Sequence, residues 1–230
     1  MDVAIDTFEE GISEVLLLQK LAVAAEAREE ITAANTLCRA AIVLMVSHFE
    51  AFLKSLALEF IDSIGTGELE ARRIPLGVRE HQTLPRLKEV ISSQNDPQRQ
   101  ALLRKSLLPL ANLWNDNAKP AKGTLDADKF ARIVTSAKSD VIDNLFKCMG
   151  SVTAVCDGEI EVTDHLGDIH TANIRFSIRD VVDCRNDIAH GTKSRTPTPA
   201  DVTRYLLFVH PFAERLDRKA EQLSSSVLAD

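Results

Sequence analysis

The segment from about Ala34 to Ile64 constrains the fold more than any other part of this chain. Apolar side chains recur there at steps of three and four, the spacing of one helical face. The first stripe comprises Ile42, Val46, Phe49, Leu53, Leu56, Phe60 and Ile64, and a second stripe comprises Ala41, Met45, His48 and Phe52. Because a helix that is apolar over so wide an arc must be covered on most sides, we expect it in the middle of a helical bundle.

The same segment does not predict a membrane span, because Ser47, His48, Glu50 and Lys54 interrupt it well short of the ~20 apolar residues that a bilayer requires. No basic start followed by a short apolar run is present, so we expect no secretory signal and a cytoplasmic protein. The four widely spaced cysteines, without a C-x-x-C pair, are then expected to be reduced thiols.

Three further long helices are predicted. The first covers about 5–31 and the third about 173–190, each with apolar residues at helical spacing. Thr198 should cap the last one, with Pro199 at its first position and Asp201 three residues after the cap. Only nine Phe, one Tyr and one Trp occur in 230 residues, which favours helices over a β-sandwich or barrel.

Between the second and third long helices the pattern is weaker. Glu68 to Thr83 contains Arg72, Arg73, Pro75, Gly77 and Arg79, and it is interpreted as a loop. Short helices are predicted at about 84–94, 97–114, 126–137 and 139–149, with Pro109 expected to kink or end the second of them. Residues 151–172 fit a hairpin around Asp157-Gly158 and a helix-loop segment equally well.

The sequence therefore predicts an all-α fold, a bundle of four long helices with extra short helices inserted between the second and the third. We expect one domain over residues 1–230, with an elaborated insertion at about 66–172.

One constellation of side chains suits chemistry. Arg185 lies on the apolar stripe of the third long helix, where a lone charge is costly unless it has a partner or faces a cleft. Asn186 and His190 are four residues apart, and Gly191 follows as a residue that can end the helix. A permanent cation, an amide and a titratable imidazole are thus gathered at one helix end.

These groups suit cleavage of RNA by its own 2′-hydroxyl. An imidazole can take up or release the proton, and a guanidinium can stabilise charge on the phosphate oxygens. One Arg and one His are half of an acid–base set, which a two-fold dimer would complete. The same spacing also fits a structural role, in which Arg185 pairs with a carboxylate such as Glu50 and His190 caps backbone carbonyls.

The motif Arg185-Asn186-x-x-x-His190-Gly191 resembles the R-x4-6-H motif of the HEPN superfamily (higher eukaryotes and prokaryotes nucleotide-binding domains). The segment RAAIVLMVSHFEAFLKSLALEFID, from Arg39 to Asp62, resembles the second helix of prokaryotic families of the RiboL-PSP kind. TPTPADVTRYLLFVHPFAERLD resembles their final helix and its lead-in. The matching parts cover about half of the chain.

This resemblance implies a metal-independent endoribonuclease without a cofactor that leaves a 2′,3′-cyclic phosphate. It implies a homodimer with a composite active site, and a toxin or antiviral-defence effector with an antitoxin or defence-system partner. Arg185, Asn186 and His190 carry over as catalytic residues. Glu50 and Asp187 are predicted as supporting residues from their positions alone, and Glu50 fits both an ion pair with Lys54, four residues later, and the orientation of Arg185. No metal site is expected.

Two points temper this interpretation. Lys193 and Arg195 follow the motif and fit RNA phosphate contacts and a solvated loop equally well. The net charge of −7 argues against broad, non-specific binding to nucleic acid. The alternative is a non-catalytic HEPN module that binds a nucleotide, RNA or a partner protein, as some members of the superfamily do.

Overall fold

The long helix at the centre of the prediction is also the centre of the structure. A computed structural model describes residues 2–163, 168–192 and 195–229. Helix α1 spans Asp2–Ala27 and α2 spans Ile31–Ile64, so α2 begins three residues before the predicted start. Fourteen residues of α2 are buried, and the helix contacts α1 together with α5, α7 and α8, which are defined below. The predicted central position is confirmed.

The other two long helices are α7, Ile174–Ala189, and α8, Pro199–Leu228. Helix α8 begins with the predicted capping box: the Thr198 side chain accepts from the Asp201 amide, and the Asp201 carboxylate accepts from the Thr198 amide. Four phenylalanine rings from α1, α2 and α8 meet in the core with centres 5.3–6.1 Å apart: Phe8, Phe49, Phe52 and Phe212. The all-α, four-long-helix architecture is confirmed.

The inserted segment contains four helices and a hairpin. These are α3, Leu76–Ser92, α4, Asp96–Trp114, α5, Ala127–Ala131, α6, Ser139–Cys148, and the strands β1, Glu159–Thr163, and β2, Ile169–Asn173. A 3₁₀ turn over Ala71–Arg73 precedes α3. With 17 and 19 residues, α3 and α4 are longer than α7, which has 16, so the prediction of short inserted helices was wrong for these two.

The predicted loop from Glu68 to Thr83 was wrong in its second half, because α3 begins at Leu76 and its first eight residues lie within that segment. Pro75 is the residue just before the helix, a position that does not interrupt helical hydrogen bonds. Gly77 lies where α3 meets the end of α6, and a Cβ there would be 2.5 Å from the Cys148 Cα. Both residues therefore serve the start and packing of a helix.

Helix α4 ends at Trp114, as predicted, and Pro109 lies inside it and does not end it. Two other features differ from the prediction. Helix α5 ends at Ala131, although helix was predicted to about 137. The hairpin exists, but Asp157-Gly158 precedes β1 and is not its turn. Antiparallel pairing runs from Glu159 with Asn173 to Thr163 with Ile169. Residues 164–168 join the strands, and 164–167 lie outside the described residues.

Helix α2 also bears on the membrane question. Within the described part of the chain, it is the helix that is long and apolar enough to cross a membrane by length and composition. Half of its most apolar window is buried inside the protein. Its apolar character is accounted for by the core that it forms with α1, α7 and α8.

Candidate functional site

The third long helix ends in a geometry that fixes the position of His190. The Gly191 amide donates to the Ile188 carbonyl at 3.1 Å and the Thr192 amide to the Asp187 carbonyl at 2.9 Å. With Gly191 at φ +75°, this is a Schellman C-cap, which ends the helix as the glycine predicted. His190 is the capping residue and its side chain is exposed. No described residue forms a hydrogen bond with its imidazole.

Arg185 is held by a carboxylate on the central helix. Its Nη2 donates to both carboxylate oxygens of Glu50, at 3.3 and 3.2 Å, and its Nη1 donates to the Asn186 Oδ1 at 3.1 Å. Glu50 Oε1 also accepts from the Ala137 amide at 3.3 Å, just before α6. The side chains of Arg185 and Glu50 are 28% and 19% exposed, so the pair lies at the edge of the core and still reaches solvent.

A second arginine, Arg39 on α2, anchors the chain that leaves the motif. Its Nη1 donates to the carbonyls of Arg195 at 2.9 Å and Thr192 at 3.4 Å, and its Nη2 to the Ile188 carbonyl at 3.5 Å. A cation that bonds carbonyls at a helix C-terminus is favourable both as a hydrogen-bond donor and against the helix dipole. Arg39 therefore fixes the segment on both sides of His190.

Arg195 has partners within the protein. Its Nε donates to the Cys184 sulfur at 3.3 Å, and its Nη2 contacts Asp180 Oδ1 at 3.2 Å and the Tyr205 hydroxyl at 3.3 Å. Asp180 also accepts from Arg204 at 2.9 Å and from the Tyr205 hydroxyl at 3.1 Å. Because its guanidinium is bound in this network, we do not carry Arg195 into the proposed RNA contacts. Lys193, the other predicted contact, lies outside the described residues.

The charge state of Asp180 follows from the same network. Burial raises the pKa of this carboxyl, but hydrogen bonds from Arg204, Tyr205 and Arg195 outweigh burial and hold the pKa below its ordinary range. Burial, with the nearby acidic and thiol groups, raises the pKa of Tyr205, whose side chain is 2% exposed. An ionised Asp180 thus ties α7 to α8 and to the chain after the motif at neutral pH.

The predicted site residues fall into two groups. The structure brings Glu50, Arg185 and Asn186 into direct contact, while His190 lies one turn further along and faces solvent. Asp187 contributes its backbone carbonyl to the helix C-cap. The sequence interpretation missed Arg39 and Asp180. Arg39 was visible only as a cation within an apolar helix, a weak signal.

Among the described residues, one group of three metal-ligating side chains lies close together: Glu9, His210 and Glu214, with ligand atoms within 4.8 Å of one another. These residues belong to α1 and α8 and are at least partly exposed. Exposed carboxylates often stand near a histidine without an ion. This group includes no residue of the Arg185–His190 segment.

The comparison with known families agrees with this arrangement. A bundle of four long helices with an Arg–Asn–His motif at the end of the third defines a HEPN-type domain, a nuclease or RNA-related module in general. The model of the RiboL-PSP-HEPN family matches residues 6–222, and the chain belongs to this family. No curated protein and no solved structure matches the chain.

The Arg39 anchor gives a first prediction. Arg39→Ala should lower the free energy of unfolding by about 1.5–3 kcal/mol, because the hydrogen bonds from its charged guanidinium to three backbone carbonyls are lost. Amide exchange should rise at residues 187–192. Arg39→Lys should recover part of the loss, since lysine lacks the planar fork. Arg28→Ala, at an exposed arginine paired with Glu30, should change stability by less than about 0.5 kcal/mol. Equal effects of the two alanine variants would contradict the anchor.

Proposed function

We propose that this protein is a metal-independent endoribonuclease that uses the RNA 2′-hydroxyl as nucleophile and leaves a 2′,3′-cyclic phosphate. The observation that carries the proposal is a fixed Arg185 guanidinium at the same helix end as His190, whose side chain is exposed and has no hydrogen-bond partner among the described residues. Glu50 and Asn186 determine where the guanidinium points, and no described residue forms a hydrogen bond with the His190 imidazole. A cation held in place and a free acid–base group are two of the three elements that the proposed transphosphorylation requires, and the third is a second proton-transfer group.

The proposed reaction assigns one role to each group. His190 takes the 2′-hydroxyl proton while that oxygen forms a bond to phosphorus. The bond from phosphorus to the 5′-oxygen breaks, and a second, protonated imidazole supplies the proton of the new 5′-hydroxyl. Arg185 stabilises the charge that develops on the non-bridging oxygens, and Asn186 together with Glu50 orients it. No water or metal ion is consumed in this step.

The second imidazole is the reason we propose a shared site. Each chain supplies one His190. Five residues separate it from Arg185, which turns the two side chains by about 140° around α7. A two-fold dimer in which the ends of two α7 helices face each other supplies two histidines and two arginines to one cleft.

A role as a toxin or antiviral-defence effector, restrained by a cognate partner, is part of the proposal, supported by the motif's resemblance to that of HEPN ribonucleases. The target would be cytoplasmic RNA.

A non-catalytic module is the second candidate, and one observation favours it. The Arg185–Glu50 pair is mostly buried and joins α2 to α7, as a purely structural ion pair would. The net charge of −7 also limits electrostatic attraction to RNA. In that case the domain would bind a nucleotide, RNA or a protein without cleaving it.

The test is cleavage of single-stranded RNA by the purified protein in the presence of EDTA. The proposal expects cleavage that is unchanged by EDTA, with a 2′,3′-cyclic phosphate on one product and a 5′-hydroxyl on the other. Cleavage that disappears with EDTA, or products with a 5′-phosphate, would contradict the proposed chemistry. RNA binding without any cleavage would support the non-catalytic module.

A further inference from the structure

A cleft of about 490 Å³ opens between α7 and the start of α6. Lys138 and Ser139 line one side, and Phe176, Arg179 and Asp183 line the other. Its volume lies within the range of small-ligand sites in proteins, about 300–1,000 Å³. The wall at Lys138 follows directly on Ala137, whose amide donates to Glu50, the partner of Arg185. The cleft therefore begins one residue after the backbone amide that helps to hold Glu50.

The cleft presents an aromatic face and an uncommitted cation. Phe176 is 59% exposed, and the Arg179 guanidinium carbon lies 5.7 Å from the centre of its ring. The neighbouring Arg175 is bound to Asp143 and Asp157, whereas no carboxylate in the described residues pairs with Arg179. An exposed ring with an arginine over it is a surface on which a nucleobase can stack.

The cleft lies on the same stripe of α7 as His190. Phe176, Arg179, Asp183 and His190 are spaced by three, four and seven residues, and all four are exposed. Fourteen residues of helix separate Phe176 from His190, about 21 Å along the axis. At ~3.4 Å per stacked nucleotide this corresponds to about six nucleotides of a single strand, and to fewer if the strand is extended.

We propose that this cleft is a subsite for an unpaired base of the RNA strand, which stacks on Phe176 while Arg179 contacts a phosphate of the same strand. The inference rests on RNA as the substrate of the proposed function. An unpaired base is required because a base within a duplex does not offer its face to a side chain. Stacking needs no positive charge and is therefore compatible with an acidic protein. Asp140 and Asp183 at this cleft would repel a row of phosphates bound along it. Affinity should accordingly depend only weakly on salt.

The test is the affinity of a short single-stranded RNA for protein carrying His190→Ala, which prevents cleavage during the measurement. Adding Phe176→Ala should weaken binding by about 5- to 150-fold, the loss expected for one stacked base. Phe176→Trp should restore it. Leu17→Ala is the matched control, because Leu17 has the same exposed fraction on α1. Equal affinity of the Phe176→Ala and Leu17→Ala proteins would overturn the subsite.

RNAs with one base removed at successive positions identify the stacked base. At one position, removal of the base should weaken RNA binding by the protein that retains Phe176. At that position, adding Phe176→Ala should lower the affinity no further. If Phe176→Ala weakens binding by the same factor whichever base is removed, no single base stacks on Phe176, and the subsite is overturned. Competition by free nucleoside monophosphate at the affinity of the RNA would show that the cleft binds nucleotides and not a strand. Cleavage is measured separately with unmodified protein, so its absence contradicts the proposed function alone, and an unchanged affinity contradicts the subsite alone.

Discussion

His190→Ala should slow RNA cleavage by about 10²–10⁴-fold, the range that a general acid–base group contributes. The loss should appear in the rate of the chemical step, because the imidazole transfers protons and does not shape the fold. The side chain is exposed and has no hydrogen-bond partner among the described residues, and its backbone amide bond to Asn186 is kept by alanine. The free energy of unfolding should therefore change by less than about 0.5 kcal/mol.

The measurement is single-turnover cleavage in EDTA, followed by formation of the cyclic-phosphate end. His210→Ala is a suitable control, because His210 lies on α8 and its ion-pair partners are Glu9 and Glu214, which are not residues of the motif. It should cleave within about twofold of the wild-type rate, as expected for a surface substitution away from the site. If His190→Ala retains full cleavage with a correct product end, His190 is not the acid–base group, and the role assigned to the motif is wrong.

The core of this fold could be predicted because its physics is local and repetitive. The stripe on α2 gives a central helix, and the Thr198-Pro199-x-Asp201 pattern gives the start of α8, since each feature needs only residues a few positions apart. The end of α7 was predictable for the same reason, because Gly191 supplies the positive φ of the cap.

The insertion was harder because its structure depends on contacts between distant residues. Gly77 looks like a loop residue until Cys148 packs against it, and the hairpin register depends on which residues of β1 face β2. Pro109 removes one helical hydrogen bond, yet α4 continues to Trp114, whose indole donates to Thr83 on α3. Such tertiary contacts override local propensity and leave little trace in a single sequence.

The candidate site shows the same division. The cost of a lone charge on an apolar stripe predicted a partner for Arg185, with Glu50 as one candidate, but that argument could not say whether such a pair is catalytic. Proximity in sequence made Arg195 a candidate for an RNA contact or a residue of a solvated loop, and the structure places its guanidinium against Asp180 and Tyr205. Proximity along the chain predicts which residues lie near the site, whereas the contacts of each side chain depend on how it packs.

A ninefold excess of His190→Ala chains should lower the cleavage activity of a fixed amount of wild-type protein by about tenfold, if chains exchange freely and the site needs both histidines of a dimer. Under those conditions about one wild-type chain in ten has a wild-type partner. If each chain contains a complete site, the same excess leaves activity unchanged. The measurement is cleavage after the chains have been refolded together or produced together.

The His190→Ala chains can also compete for RNA, and this needs its own control. The same excess, added immediately before the RNA, allows no exchange and gives the competition effect alone. A drop of equal size in both mixtures would contradict a shared site while leaving the nuclease proposal intact. Unaltered activity after full exchange would also contradict a shared site, provided that mass measurement shows mixed dimers.

Mixing two inactive chains distinguishes the ways in which a site could be shared. A dimer of Arg185→Ala with His190→Ala contains one arginine and one histidine, on different chains. If one Arg185 and the partner's His190 sufficed, this dimer would recover cleavage. The proposed reaction needs one imidazole to take the 2′-hydroxyl proton and a second to protonate the 5′-oxygen, so we expect no recovery. Recovery would keep the dimer but assign the second proton transfer to a group other than His190.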